Sequence, residues 1–354
     1  MEYPIGIEMA EQYLSYEVAQ GAMKLVRDVM LVQPGESVVI SADTSTDRRV
    51  VEAVAKATYA IGANPVVINY ATTGKSFEEP VKPVAEAVAN TDVWIEFAYY
   101  TIMHSPSFQQ ALANGVRYTC LCGMDVTMLA NTIAKVDTDM VIAFGDYLSK
   151  KIEEANIIVV KDNNGTDLHA DKTGRRVKHS GQRATRKGFS VMLSGQTSWC
   201  PLEETINGKL VFDAATFPPA SLGKLSQKIY LTLENGRIIK IEGGSEAETF
   251  KNWLENFNDP NMFRLAHYSL GFNPGVTKAT GRIVEDERIF GCIEFGFGSQ
   301  GASLMGAFWN AASHTDGVVS KPTIILDDVV FEDNGVYIDP TAREFCRKLG
   351  VEGY

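Results

Sequence analysis

Apolar and polar positions change period along the chain, and the change divides it in two. Residues 10–30 carry apolar side chains at helical spacing. After them come short apolar runs, "SVVISAD" (37–43), "PVVINY" (65–70), "DVWIEFAYY" (92–100) and "RYTCLCG" (117–123), with the near-continuous hydrophobicity of strands buried on both faces. Helical stretches separate these runs at 45–61, near 79–90 and at 105–114. The last of them starts with Ser105 and Pro106, an N-cap and first-turn pair. This βαβ rhythm predicts a parallel, Rossmann-like sheet with helices on both faces. The turn after the first strand, "ADTSTDRR", is not glycine-rich, so the layout brings no dinucleotide with it.

Beyond about residue 156 hairpin signals take over. "KDNNGTDL", "TLENGRIIKIEGG" and "VVFEDNGVYI" each place Asn-Gly between strand-like runs, which predicts tight primed turns. A helix over about 245–257 interrupts this half, and "TAREFCRKLG" closes it. The expected architecture is therefore α/β plus mostly β. A Rossmann-like domain over 1–155 is followed by a mostly antiparallel, barrel-like domain over 156–354, and 354 residues suffice for two cores.

Composition narrows the partners. A net charge of −11 and a pI of about 5.1 argue against nucleic acid or an anionic membrane. No apolar run reaches the roughly 18 residues of a membrane span, and "MEYPIGIEMAEQ" lacks the basic and apolar regions of a secretory leader. Five cysteines form no disulfide framework, and Cys120 and Cys122, on one strand face, read as buried reduced thiols. These features predict a cytoplasmic protein.

The candidate chemistry lies in the glycine-rich second half. In "ASHTDGVV" (312–319), His314 and Asp316 stand two residues apart, on one face of any strand. His267, in "LAHYSLGFNPG", is a second imidazole in the same half. Two imidazoles and one carboxylate make the facial triad of non-haem iron(II) oxygenases, which leaves three positions open. By spacing alone, a hydrogen-bonded structural pair fits the motif as well. His179 falls in the basic run "GRRVKHSGQRATRKG" (174–188), expected to face water, with an anionic substrate group as its functional alternative. Glu287, in "EDER", is expected in a solvated turn.

The succession "LAHYSLGFNPG", "VEDERIFGCIEFGFGSQG", "ASHTDGVV" and a final Asn-Gly hairpin resembles the aminopeptidase T family of metallopeptidases. It is similar also to that family's relatives, the 2,5-dihydroxypyridine 5,6-dioxygenases. "GTDLHADKTGR" (165–175) and "CPLEETINGKLVFD" (200–213) fit the same pattern, so the resemblance spans the second domain. The first domain matches more loosely, through its βαβ layout and "HSPSFQQALANG" (104–115). The resemblance implies a metal site in the second domain that faces the first. It also makes "DLHAD" a structural hairpin, because the shared pattern has no histidine matching His169, and Asp167 and Asp171 then merely share its face.

The two relatives differ at readable positions. The peptidases resemble two-metal enzymes with a glutamate where this chain has His267 and a histidine where it has Glu294. A tyrosine expected after that segment has no counterpart in "GSQGASLMG". The dioxygenase pattern, one iron held by a histidine and a later His-x-Asp, is met by His267, His314 and Asp316. A neutral imidazole in place of a glutamate suits one borderline ion better than two hard ones. The resemblance further implies an active-site role for His104, as acid/base or hydrogen-bond donor; its plain alternative is the residue ahead of the Ser105 cap. Ser105, Glu203, Glu204 and Glu294 are candidates for substrate contact or for orienting the ligands. A solvated loop is the alternative for Glu203 and Glu204, and an ordinary strand position for Glu294.

The function expected is a mononuclear iron(II) dioxygenase, one ion per chain, that opens a hydroxylated aromatic or pyridine ring. Its partners would be that small molecule, dioxygen and further copies of the chain. A metal-dependent aminopeptidase and a non-catalytic small-molecule binding protein are the alternatives.

Overall fold

The computed structural model describes residues 12–301 and 308–354. The leader reading at the N-terminus and most of "GASLMG" lie outside the described residues. The chain packs as two compact units, one formed by 1–135 and 182–193, the other by 136–181 and 194–354.

The first unit is built on a five-stranded, wholly parallel sheet. Its strands lie in the order Asn64–Tyr70, Ser37–Asp43, Val93–Glu96, Arg117–Cys120, Ser190–Met192. This is the open α/β pattern whose order reverses between the first and third strands. Val38, Ile40, Val93, Ile95 and Tyr118 are fully buried within it, as continuous apolar runs require. Helix Arg48–Ala60 is capped by Asp47, and helix Pro106–Ala113 by Ser105, whose hydroxyl accepts from the Phe108 amide at 3.2 Å. The 10–30 periodicity becomes helix Ser15–Met23 continued by a π-helical stretch, Lys24–Val29. "DVWIEFAYY" pairs only over Val93–Glu96, because the buried Glu96 carboxyl turns the chain by accepting from the Ile102 amide and the Thr101 hydroxyl. The fifth strand comes from residues that the sequence pattern assigns to the other half.

The second unit holds two antiparallel sheets of eight and seven strands, each in linear order. The eight-stranded sheet runs from Arg237–Gly243 to Val336–Tyr337, and the seven-stranded sheet from Gly223–Lys224 to Val177–His179. One core joins Leu168, Leu210 and Leu231 of the first with Trp199, Tyr268, Phe295 and Phe297 of the second. Helix Thr138–Glu154 sinks Val141, Phe144, Leu148 and Ile152 into the same core. That is why residues 136–155, assigned by the sequence pattern to the first domain, pack with the second unit. Two of the Asn-Gly turns are of the primed kind, with φ of 50° and 72° at Asn235 and Gly236 and 50° and 79° at Asn334 and Gly335. "KDNNGTDL" differs: the Asp162 side chain accepts from the amides of Asn164 and Thr166 and closes a wider loop. No helix among the described residues is long and apolar enough to cross a membrane.

Candidate metal centre

Three strands of the seven-stranded sheet build the site: Leu265–Gly271, Cys292–Gln300 and Trp309–Val319. Their alternation sorts side chains between two faces. Tyr268, Leu270, Ile293, Phe295, Phe297 and Val319 enter the core, so His267, Ser269, Glu294, His314 and Asp316 leave by the other face. In the register, Gly296 lies opposite both His267 and Asp316. Having no side chain, it leaves a gap between them; a Cβ there would run into the His267 ring.

The three expected ligands converge on that gap, with one donor atom from each all within 4.8 Å of one another. His314 Nε2 is 2.9 Å and His267 Nε2 3.7 Å from Asp316 Oδ1, and the imidazoles stack at 5.2 Å with 12° between planes. Two bonds of about 2.1 Å at right angles place donors roughly 3 Å apart, so the set fits a divalent ion. His314 Nδ1 lies 3.0 Å from the Ser299 carbonyl. It donates there, which leaves the Nε2 lone pair for a cation.

Electrostatics favour the ligating form of two of the donors, His267 and Asp316. Burial, aided by Lys178, holds the His267 pKa below the usual histidine value against the pull of Asp316 and Glu287. Burial opposes ionisation of Asp316, but His314, His267 and Glu294 together hold its pKa below the carboxylate range. Glu294 goes the other way: burial, then the charges of Asp316 and Glu287, push its carboxyl well up. It therefore stands as an acid hydrogen-bonded to Asp316, its two oxygens each 3.2 Å from His267 Nε2.

The remaining candidates lie elsewhere. His104 belongs to the first unit, exposed, with φ of 70° and its ring near Phe77 and Phe108. Ser105 is buried as the helix cap. Glu203 is buried and accepts from Arg175 at 2.7 Å, whereas Glu204 is exposed. Glu287 is not the solvated turn residue expected: its side chain is 13% exposed, it pairs with Arg288, and its charge reaches His267. His179 is likewise not in a solvated loop: it stands on strand Val177–His179 with its side chain only 3% exposed, 2.9 Å from Asp146 Oδ1. Asp167, His169 and Asp171 face outward on a hairpin strand, as expected. A second convergence, Glu96 with Cys120 and Cys122, lies in the first unit. There the thiols are free with sulfurs 3.1 Å apart, and Glu96 is occupied by Ile102, Thr101 and Tyr118. Sequence patterns single out none of Ser198, Ser269 and Lys178, which share the polar face beside the centre. Their signal is a pairing register between segments far apart in sequence.

A family model described as 2,5-dihydroxypyridine 5,6-dioxygenase matches residues 22–339. Among curated proteins, the chain is similar to 2,5-dihydroxypyridine 5,6-dioxygenase of Pseudomonas putida, 27% identical over 175 residues. That alignment takes in 49% of this chain and 49% of the relative, about half the length of each. Of solved structures, 2,5-dihydroxypyridine dioxygenase from Pseudomonas putida KT2440 superposes with a TM-score of 0.77 at 19% identity, over 95% of this chain and 99% of that one. AmpT from Thermus thermophilus gives 0.67 at 14% identity, over 92% and 100%. Both share the fold. Since the family match runs through every described strand and takes in all three converging residues, the chain belongs to the 2,5-dihydroxypyridine 5,6-dioxygenase family.

Proposed function

We propose that the chain is a mononuclear iron(II) dioxygenase, one ion per chain, that opens a hydroxylated aromatic or pyridine ring. The observation that carries this is the convergence of two imidazoles and one carboxylate over the gap at Gly296. His267 Nε2, His314 Nε2 and Asp316 Oδ1 would hold the ion, which when bound supplies open positions for dioxygen and for the oxygen substituents of the ring. The chain does the rest. Ser299 fixes the His314 tautomer, and Glu294 keeps its proton on the side of Asp316, orienting that carboxylate. His104 is the proton-transfer residue of this reading: an exposed imidazole on left-handed backbone, a conformation that costs a non-glycine residue about 1 kcal/mol or more.

Supporting observations extend the reading. Five free thiols suit a reducing cytoplasm. Val66 and Val67, about half exposed on an outer strand, suit a homo-oligomer. Barrel-like curvature of the second unit's two sheets is the finer architecture that goes with it.

The test is aerobic incubation with Fe(II) and a panel of dihydroxylated benzenes and pyridines. Loss of ring absorbance with stoichiometric oxygen uptake is expected. Dipeptide cleavage with Zn(II), Co(II) or Mn(II), abolished by His314→Ala, would replace this reading with the aminopeptidase. Ring binding without turnover would leave a binding protein.

A further inference from the structure

The polar face of the seven-stranded sheet carries a row that the metal centre does not use. Lys178 lies opposite Ser198, Ser198 opposite Ser269, and Ser269 opposite Glu294. Directly opposed residues of antiparallel strands project to the same face. The row therefore leads from the outer strand Val177–His179 to the carboxyl beside the metal ligands. Its inner members are paired: the Ser198 and Ser269 hydroxyls are 2.8 Å apart, and Ser269 bonds to Glu294. The outer member is not. Among the described residues, no acceptor and no carboxylate satisfies the Lys178 ammonium. Two other cations of the same basic run are engaged, Arg175 with Glu203 at 2.7 Å and Arg186 over the Phe189 ring at 4.4 Å.

Lys178 is not simply a lysine in open water. It is exposed, yet the neighbouring protein desolvates it enough to lower its pKa from the lysine value. Its charge is also felt at His267. The Lys178 and His267 strands are two strand spacings apart, about 10 Å. A six-membered ring held between an ammonium on the one strand and the ligands on the other would be matched in size to that separation.

We propose that Lys178 positions the substrate by binding an anionic oxygen on the ring, a carboxylate or an ionised hydroxyl, remote from the edge presented to the metal. This rests on the ring-cleavage reading and narrows its substrates to negatively charged hydroxylated rings. Lys178 acts as a positioning residue, so its loss weakens binding and leaves the metal in place.

The test compares wild type, Lys178→Met and Lys178→Arg, each loaded with Fe(II), on 2,5-dihydroxybenzoate and its neutral methyl ester. Metal content and melting temperature are measured in parallel, and calorimetry follows binding of both probes to the Zn(II)-loaded proteins. Expected for Lys178→Met is a KM about 10-fold or more higher, with kcat within about 3-fold and metal content unchanged. Lys178→Arg should recover most of the loss, because it restores the charge. A loss confined to the acid identifies a carboxylate as the partner; an equal loss for acid and ester, rescued by arginine, identifies an ionised hydroxyl. An unchanged KM and Kd for both probes, a loss that arginine does not rescue, or no binding to wild type would overturn the proposal. Turnover of neither probe with a 10-fold change in Kd would sink ring cleavage of these probes while retaining Lys178 as an anion site.

Discussion

Asp316 keeps its charge among protein atoms because two imidazoles and a protonated Glu294 surround it, while Glu294, facing two carboxylates, holds its proton. If Glu294 orients Asp316 through that proton, Glu294→Ala should weaken metal affinity about 10- to 100-fold. Glu294→Gln, which still offers an N–H, should lose much less; competition with a chromogenic chelator measures both. His267→Ala should bring metal content close to zero while the first unit's melting transition persists, and full occupancy after that change would remove His267 from the centre. In the first unit, Glu96 makes a separate prediction. Burial, then the neighbouring Cys120, raise its pKa from 4.5 to about 8. Between these values the unfolded chain has released a proton that the folded chain retains, so stability falls as pH rises from about 4.5 to about 8 and levels off above. The total is on the order of a few kcal/mol. Urea unfolding between pH 5 and pH 8 should show this slope, and Glu96→Gln should flatten it.

Strands decide where these residues can meet. The period of two makes His314 and Asp316 legible as a pair from the sequence alone, since both must leave one face. His267 joins them only through a family resemblance, because its register with Asp316 across Gly296 is a long-range pairing that local pattern does not encode. The same limit hides Lys178: Val177–His179 pairs with Gln196–Trp199, and among the six lysines and arginines of that basic run nothing marks one lysine as different. His179 departs from its sequence expectation for a related reason. It alternates with Lys178 into the core, where a Cβ on Gly145 would touch its ring. Helix boundaries are read more closely, because Asp47 and Ser105 are local caps. At this scale Gly296→Ala is the sharp test. The added methyl would occupy the space of the His267 ring, so the variant should fold, since Phe295 and Phe297 still fill the core, but lose most of its metal. Retained metal would show that His267 has room to move.

For the molecule as a whole, the outer strand Asn64–Tyr70 leaves Val66 49% and Val67 48% exposed, and Tyr59 of helix Arg48–Ala60 is 76% exposed. An apolar outer strand invites another copy. Light scattering should therefore report an oligomer in the wild type, and Val66→Lys with Val67→Glu should shift it towards monomer; a wild-type monomer would dismiss this surface. At the opposite edge the sheet is completed by Ser190–Met192, beside Arg117–Cys120. During translation this has a price in time. The Arg117–Cys120 edge leaves the ribosome about 70 residues before its partner, several seconds at ordinary elongation rates. For that interval the nascent first unit presents an open parallel strand, while helix Thr138–Glu154 waits for a core made of residues still to be synthesised. Stalled chains ending near residue 155 should accordingly be bound by chaperones and sensitive to protease, and a protected first unit should emerge only once residue 193 has cleared the exit tunnel.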